Sequence, residues 1–207
     1  MSTSPLAFDP YVVNNVQGTR FLDVGCGHGK WGYLLKKYAT PPSQKRYVAG
    51  VDVFPPHVES LRAEGIYDDV RVGDAVALPF DDQSFDTVIA CEVLEHLTAE
   101  QGPLLMRELR RVARQGFIVS TPTFPCLRGG NETLDGFNPH EAHQHIYSFR
   151  EFHSLGFTQI IGVGHLKLRP WKLAVAVSSL GLYFPRRSRY LLGFWFSDGR
   201  KRILAAE

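Results

Sequence analysis

The chain predicts an α/β fold, a mostly parallel sheet covered by helices on both faces, and three observations point there. Short apolar runs alternate with segments of helical periodicity, and the connections between them are short. The first apolar run closes on Gly25-Cys26-Gly27-His28-Gly29, a glycine-rich turn that opens the next helix and leaves backbone N–H groups bare to a ligand. Acids stand at the ends of the following strands, Asp52 on the second and Asp74 just past the third, where open α/β sheets bind their ligands.

The elements follow in order. Arg20 to Val24 is the first strand and Lys30 to Tyr38 the helix after the glycines. Tyr47 to Asp52 is a second strand, Pro55 to Ala63 a second helix, and Val70 to Val72 a third strand. Phe85 to Ala90 is a fourth, followed by a helix over Ala99 to Arg114 with Leu104, Leu105, Leu109 and Val112 on one face. Gly116 to Ser120 is a fifth strand. Residues 121–145, rich in Pro, Gly, Asn and His and poor in periodicity, read as a loop; one of this length in a compact domain is usually functional. Ser148 caps a helix through Ser154, with Glu151 at the capping-box position and Gly156 beyond its end. Thr158 to Val163 is a sixth strand. An apolar helical stretch from Trp171 to Leu182 leads to a seventh over Tyr190 to Phe196.

Composition bounds the class. With 207 residues, 44% hydrophobic and 21% charged, one domain spanning 1–207 is expected, and disordered or fibrous classes are excluded. Cys26, Cys91 and Cys126 are odd in number and scattered, so they predict reduced, core-packing thiols rather than a disulfide framework or a metal set. No basic region followed by an apolar core opens the sequence, and no apolar run approaches the roughly 20 residues that cross a bilayer, so a cytoplasmic setting is expected. The net charge of +2 is uneven. Residues 1–166 carry 14 Lys/Arg against 19 Asp/Glu, whereas residues 167–207 carry 9 against 2.

The glycines alone are ambiguous, because Gly27-x-Gly29-x-x-Gly32 with Asp52 about twenty residues on also satisfies the dinucleotide pattern. Two points break the tie. Asp23, two residues before the first glycine, is a poor neighbour for a pyrophosphate but suits a ligand carrying an ammonium group. Asp74 adds a further acid, so three acids at successive strand ends favour a cationic, donor-rich ligand.

At these residues the sequence resembles the class I S-adenosylmethionine-dependent methyltransferases of small-molecule type. Asp23 to Gly29, with Gly25, Gly27 and Gly29, fits the family's first motif. Leu78-Pro79-Phe80-Asp81-Asp82-Gln83-Ser84-Phe85-Asp86 resembles its approach to strand four, and Cys91-Glu92-Val93-Leu94-Glu95-His96-Leu97 the stretch that follows. The match covers roughly residues 20 to 165. It implies a Rossmann-like seven-stranded sheet with the last strand antiparallel, and S-adenosyl-L-methionine as cofactor. Asp52 would bind the ribose hydroxyls, Asp74 the adenine amino group, and Val53 and Ala75 would flank the adenine ring. Cys91 and Glu92 would face the methionine end.

The expected reaction is an in-line methyl transfer, for which alignment supplies much of the rate and a base is needed only if the acceptor must lose a proton early. His96, just past strand four, is the first candidate for acceptor contact, and His145 the second. The histidines at 140, 143 and 145 lack zinc-site spacing, so no metal site is read there; in the resembling family the corresponding run walls the substrate. The chain lacks the Asn/Asp-Pro-Pro-aromatic clamp of amide and base methylases, and its body is not basic, so a small molecule is favoured over nucleic acid. Residues 167–190 form a basic, apolar helical insertion. With the aromatics that follow, it reads either as ordinary sheet cover or as a membrane-surface element that would make the acceptor amphiphilic. Two rival functions stand beside methyl transfer, a non-catalytic cofactor-binding partner protein and an NAD-dependent oxidoreductase. The sequence specifies no oligomeric state.

Overall fold

A computed structural model describes residues 5–38, 44–124, 129–166 and 185–199. In chain order its main elements are α1 (Asp9–Val13), β1 (Arg20–Val24), α2 (Lys30–Tyr38), β2 (Tyr47–Asp52), α3 (Pro55–Glu64), β3 (Asp69–Val72), β4 (Phe85–Cys91) and α4 (Gln101–Val112). These are followed by β5 (Ala113–Pro122), β6 (Asn131–Thr133), β7 (Gly136–Asn138), α5 (Phe149–Ser154), β8 (Gln159–Leu166) and β9 (Ser188–Phe196).

Seven strands make one sheet in the order β3-β2-β1-β4-β5-β9-β8. β1 to β5 are parallel, and β9 runs antiparallel to both its neighbours, β5 and β8. The last strand is antiparallel as expected; it is also inserted one place in from the sheet edge.

Strand residues alternate between two cores, as they must when both faces are covered. Phe21, Val48, Ile89 and Ile118 pack on one side with Phe8, Trp31 and Leu35. Their neighbours Leu22, Ala49, Val88 and Phe117 pack on the other with Leu105, Leu109, Val112 and Phe152. The α4 helix departs from the expected span, because Ala113 already pairs with Phe85 as the start of β5. Its buried face is therefore Leu105, Met106, Leu109 and Val112, and Leu104 turns outward. The capping box at α5 forms as read, Ser148 and Glu151 exchanging side chain-to-backbone hydrogen bonds.

The segment expected to be a loop over 121–145 holds structure of its own. It begins inside β5 and contains the β6–β7 hairpin, whose turn residues Leu134 and Asp135 precede Gly136 at φ 101°. Of the basic tail, residues 167–184 and 200–207 lie outside the described residues, so the predicted helix is not addressed. The aromatic residues of β9 belong to the sheet. Phe194 and Phe196 are buried, and Trp195 stacks on Phe117 with ring centroids 5.1 Å apart. Among the described residues no helix is long and apolar enough to cross a membrane.

Candidate active site

β1 lies between β2 and β4, so connections leave it in opposite directions and open a crevice at the carboxyl ends of these strands. The glycine turn sits on that crevice. Gly25 and Cys26 donate their N–H groups to the Val51 carbonyl at 2.8 and 3.1 Å, which ties the end of β1 to the end of β2. Gly25 holds φ 69°, and a Cβ there would come within 2.5 Å of Val93 Cγ2. Only glycine lets the backbone itself form this wall.

A cavity of about 480 Å³ occupies the crevice, a size ordinary for a cofactor site. Of the residues expected at the cofactor, Gly25, Gly27, Asp52, Val53, Asp74, Ala75, Cys91 and Glu92 line it. Asp23, Gly29 and His145 do not. Gly29 is buried beneath Leu61 and Ile66. Asp23 is fully buried one layer behind the wall, where the Tyr67 hydroxyl donates to its Oδ2 at 2.6 Å; burial, opposed by that bond, pushes its carboxyl up to about 7. The same hydroxyl accepts from Gly32 N–H, so Asp23 braces the glycine turn from inside. A direct contact between Asp23 and a ligand, expected from the sequence, is not what this placement offers.

Asp52 is nearly buried and fixed by backbone. Its Oδ2 accepts from Gly27 N–H at 2.8 Å and its Oδ1 from Phe54 N–H at 2.9 Å. Each carboxylate oxygen keeps a further lone pair for a ligand hydroxyl. Asp74 is exposed on the cavity rim, its Oδ1 accepting from Val76 N–H. Burial pushes the Cys26 and Cys91 thiols well up, so both are packing residues rather than nucleophiles.

Beyond the strand ends the cavity continues under a second wall made by His96, Thr98, Gln101, residues of the β6–β7 hairpin, and the Pro139–Glu141 turn with Gln144. At the junction stands Glu92, a non-glycine residue at φ 57°. Its Oε1 accepts from the Ser120 hydroxyl at 2.7 Å, and its N–H donates to Ser120 Oγ at 3.0 Å. Such left-handed backbone at a side chain-bearing residue is a strained conformation that clusters at functional sites. Burial raises both Glu92 and Glu95, and the Glu92 charge raises Glu95 further. His96 Nδ1 lies 3.2 Å from the Ala142 carbonyl, which can only accept; the proton therefore sits on Nδ1 and Nε2 is left basic. Burial lowers the His96 pKa, so the ring is neutral near pH 7. His145 instead points away, its Nε2 3.2 Å from Glu151 Oε1 and its ring edge-on to Tyr147. The acceptor contact considered for His145 therefore has no geometric support, because Glu151 draws the ring outward.

Two side-chain groups in this region have the make-up of metal ligands, Glu95 with His96 and His143, and His28 with His57 and Asp135. In the first, Glu95 Oε2 already accepts from Thr121 and His96 Nδ1 is spent on Ala142. His28, His57 and Asp135 all escape the sequence reading. Their signals are a histidine inside the glycine motif, another just after two prolines, and an Asp-Gly turn pair.

A doubly covered α/β sheet with a glycine cradle and a fixed acid at its switch point defines a nucleoside-cofactor protein. The comparisons with known proteins say which. Residues 22–120 match the family model described as a methyltransferase domain. The chain is 34% identical over 127 residues to a probable S-adenosylmethionine-dependent methyltransferase of Mycolicibacterium smegmatis, covering 60% of this chain and 46% of that protein. It is 32% identical over 124 residues to a demethylmenaquinone methyltransferase of Staphylococcus aureus, covering 54% and 48%. To a probable tRNA methyltransferase 9B of Bos taurus it is 35% identical over 100 residues, covering 48% and 20%. The chain thus spans less than half the length of each of these relatives. Among solved structures, a Pyrococcus horikoshii protein superposes with a TM-score of 0.63 at 18% identity, covering 92% of this chain and 87% of that one, a likeness of fold. Over residues 22–120 the chain thus matches a methyltransferase domain, and its likeness is to S-adenosylmethionine-dependent methyltransferases.

Proposed function

We propose that the protein transfers the methyl group of S-adenosylmethionine to a small, amphiphilic acceptor lying under the hairpin wall. One observation carries this reading. A single cavity joins the glycine cradle and Asp52 at one end to a wall of polar and imidazole side chains at the other, with Glu92 at the join. The donor set fits the cofactor. Backbone at Gly25 and Gly27 leaves room that a side chain would fill, Asp52 offers two ordered acceptor oxygens to ribose hydroxyls, and Asp74 offers an acceptor at the rim for an exocyclic amine. Val53 and Ala75 line the same cavity as those two acids and offer apolar surface to a flat ring. An acid-rich cavity also suits a ligand carrying ammonium and sulfonium charge.

When bound, the cofactor supplies an activated methyl group, so the protein's share is alignment and exclusion of water. The second wall closes over the acceptor, and a neutral His96 with a basic Nε2 takes the proton of an acceptor hydroxyl or orients it. The relative that methylates demethylmenaquinone supports a small quinol-like acceptor. The tRNA-type relative supplies the contrary outcome. The protein, supplied with methyl-tritiated S-adenosylmethionine, is incubated with a panel of quinols and catechols and, separately, with bulk transfer RNA. Label extracted with a quinol or catechol product supports the reading. Label incorporated into RNA alone overturns it.

A further inference from the structure

Three polar side chains from three separate segments meet between the glycine turn and the hairpin. His28 comes from the turn after β1, His57 from the first turn of α3, and Asp135 from the tip of β6–β7. Asp135 Oδ2 lies 3.4 Å from His28 Nδ1 and 3.9 Å from His57 Nε2, and one donor atom from each residue lies within 4.8 Å of the others. His57 is only 2% exposed, yet neither of its ring nitrogens has a hydrogen bond, nor does Asp135 Oδ2. Buried polar atoms in folded proteins are nearly always paired, so two orphans that face one another, His57 Nε2 and Asp135 Oδ2, with His28 Nδ1 beside them, call for a shared partner.

We propose that His28, His57 and Asp135 bind a divalent transition-metal ion of the zinc type, with the fourth coordination position facing the cavity. Zinc sits about 2.0–2.1 Å from imidazole nitrogen and carboxylate oxygen in a tetrahedron, which sets neighbouring ligand atoms about 3.4 Å apart. The His28–Asp135 edge meets that spacing, the His57–Asp135 edge closes to it with a shift of about half an ångström, and the His28–His57 edge lies within 4.8 Å. Two imidazoles and one carboxylate are a ligand set that zinc accepts, and three protein ligands leave a position open. Asp52 Oδ1, 3.7 Å from His57 Nδ1, stands where an outer carboxylate orients a ligating imidazole and leaves Nε2 for the ion. The ion joins the hairpin to the glycine turn and α3. It thereby fixes the wall of the cavity that has least packing of its own, since Leu134 and Phe137 on that hairpin are 83% and 53% exposed. The site does not depend on the identity of the cofactor or acceptor.

The test is titration of chelator-stripped full-length protein with Zn²⁺ against a chromophoric competitor, and with Co²⁺ read by its visible absorption. The expected result is one ion per chain, tetrahedral Co²⁺ bands, and at least tenfold weaker binding in His57→Gln and in Asp135→Asn, with His143→Ala unchanged. Asp135 is on a turn at the surface, so Asp135→Asn decides the matter even if the buried His57 variant does not fold. Absence of stoichiometric binding, or affinity unaltered by Asp135→Asn, overturns the proposal; the latter with loss in His143→Ala would move the ion to Glu95, His96 and His143. Binding of S-adenosylmethionine to the metal-free protein is read separately, so failure of the metal site leaves the cofactor reading standing.

Discussion

The two walls of the cavity are built on opposite principles. The strand-end wall is backbone locked to backbone. Gly25 and Cys26 share the Val51 carbonyl, both oxygens of Asp52 are held by N–H groups, and Asp23, Tyr67 and Gly32 brace it from behind. Among the described residues the hairpin wall consists of two three-residue strands, short local bonds such as Thr133 Oγ1 to the Gly136 carbonyl, two backbone bonds from Gln144 and His145 to the Glu95 carbonyl, and the His96 tie to the Ala142 carbonyl. A cofactor common to a whole family is met by rigid, pre-ordered groups, whereas an acceptor that differs between members is met by a wall of low local stability that can be remade.

If that contrast is right, damage to the first wall should cost most. Gly25→Ala places a Cβ against Val93 at a left-handed φ and should cost about 1–3 kcal/mol of stability. It should also abolish measurable cofactor binding, read by urea unfolding and calorimetry together. Asp52→Ala removes both acceptor oxygens for the ligand and with them the two hydrogen bonds from Gly27 and Phe54 that hold the loop. Cofactor affinity should fall by about 1–3 kcal/mol, and an unchanged dissociation constant would remove Asp52 from the site.

The brace behind the wall has a pH signature. The Asp23 carboxyl is raised from an ordinary value of 3.8 to about 7 by burial, so between these values the folded chain holds a proton that the unfolded chain has released. That stabilisation is complete below about pH 4 and is lost as pH rises through about 7. Raised Glu92 and Glu95 act in the same direction. Unfolding free energies measured from pH 4 to 8 should therefore fall more steeply in the wild type than in Asp23→Asn, which keeps an acceptor for Tyr67 without a titrating group. Equal slopes would show that Asp23 is not titrating in this range. The smallest effect belongs to His145→Gln. Its pair with Glu151 is partly exposed, so the change should cost at most about 1 kcal/mol and leave cofactor affinity unaltered. A large loss would place His145 in the cavity after all.

How legible each wall was follows from the same contrast. The strand-end wall is written locally, since the glycines, Asp52 and Asp74 follow strands whose periodicity marks their ends, and eight of the ten residues expected at the cofactor line the cavity. The sequence suggests a ligand contact for Asp23 because adjacency to the glycines does not reveal that this strand residue is buried behind the crevice wall. The hairpin escaped because three-residue strands are too short to show alternation, although Asp135-Gly136 is a turn pair that signals one. His57, following Pro55 and Pro56 at a helix start, gave no sign that it would face His28 and Asp135 from elsewhere in the chain. Such encounters depend on tertiary closure, which no local pattern encodes. The same holds for β9, whose apolar and aromatic run marks a strand but not its place between β5 and β8.

The most direct test of the central claim is calorimetric titration of the purified protein with S-adenosylmethionine, with its demethylated product S-adenosylhomocysteine, and with NAD as control. Dissociation constants on the order of micromolar for the two methyl-cycle ligands, with no heat from NAD, are the predicted result. Binding of NAD in place of both would contradict the assignment of the glycine cradle, and silence with all three would leave the fold without the cofactor on which this account rests.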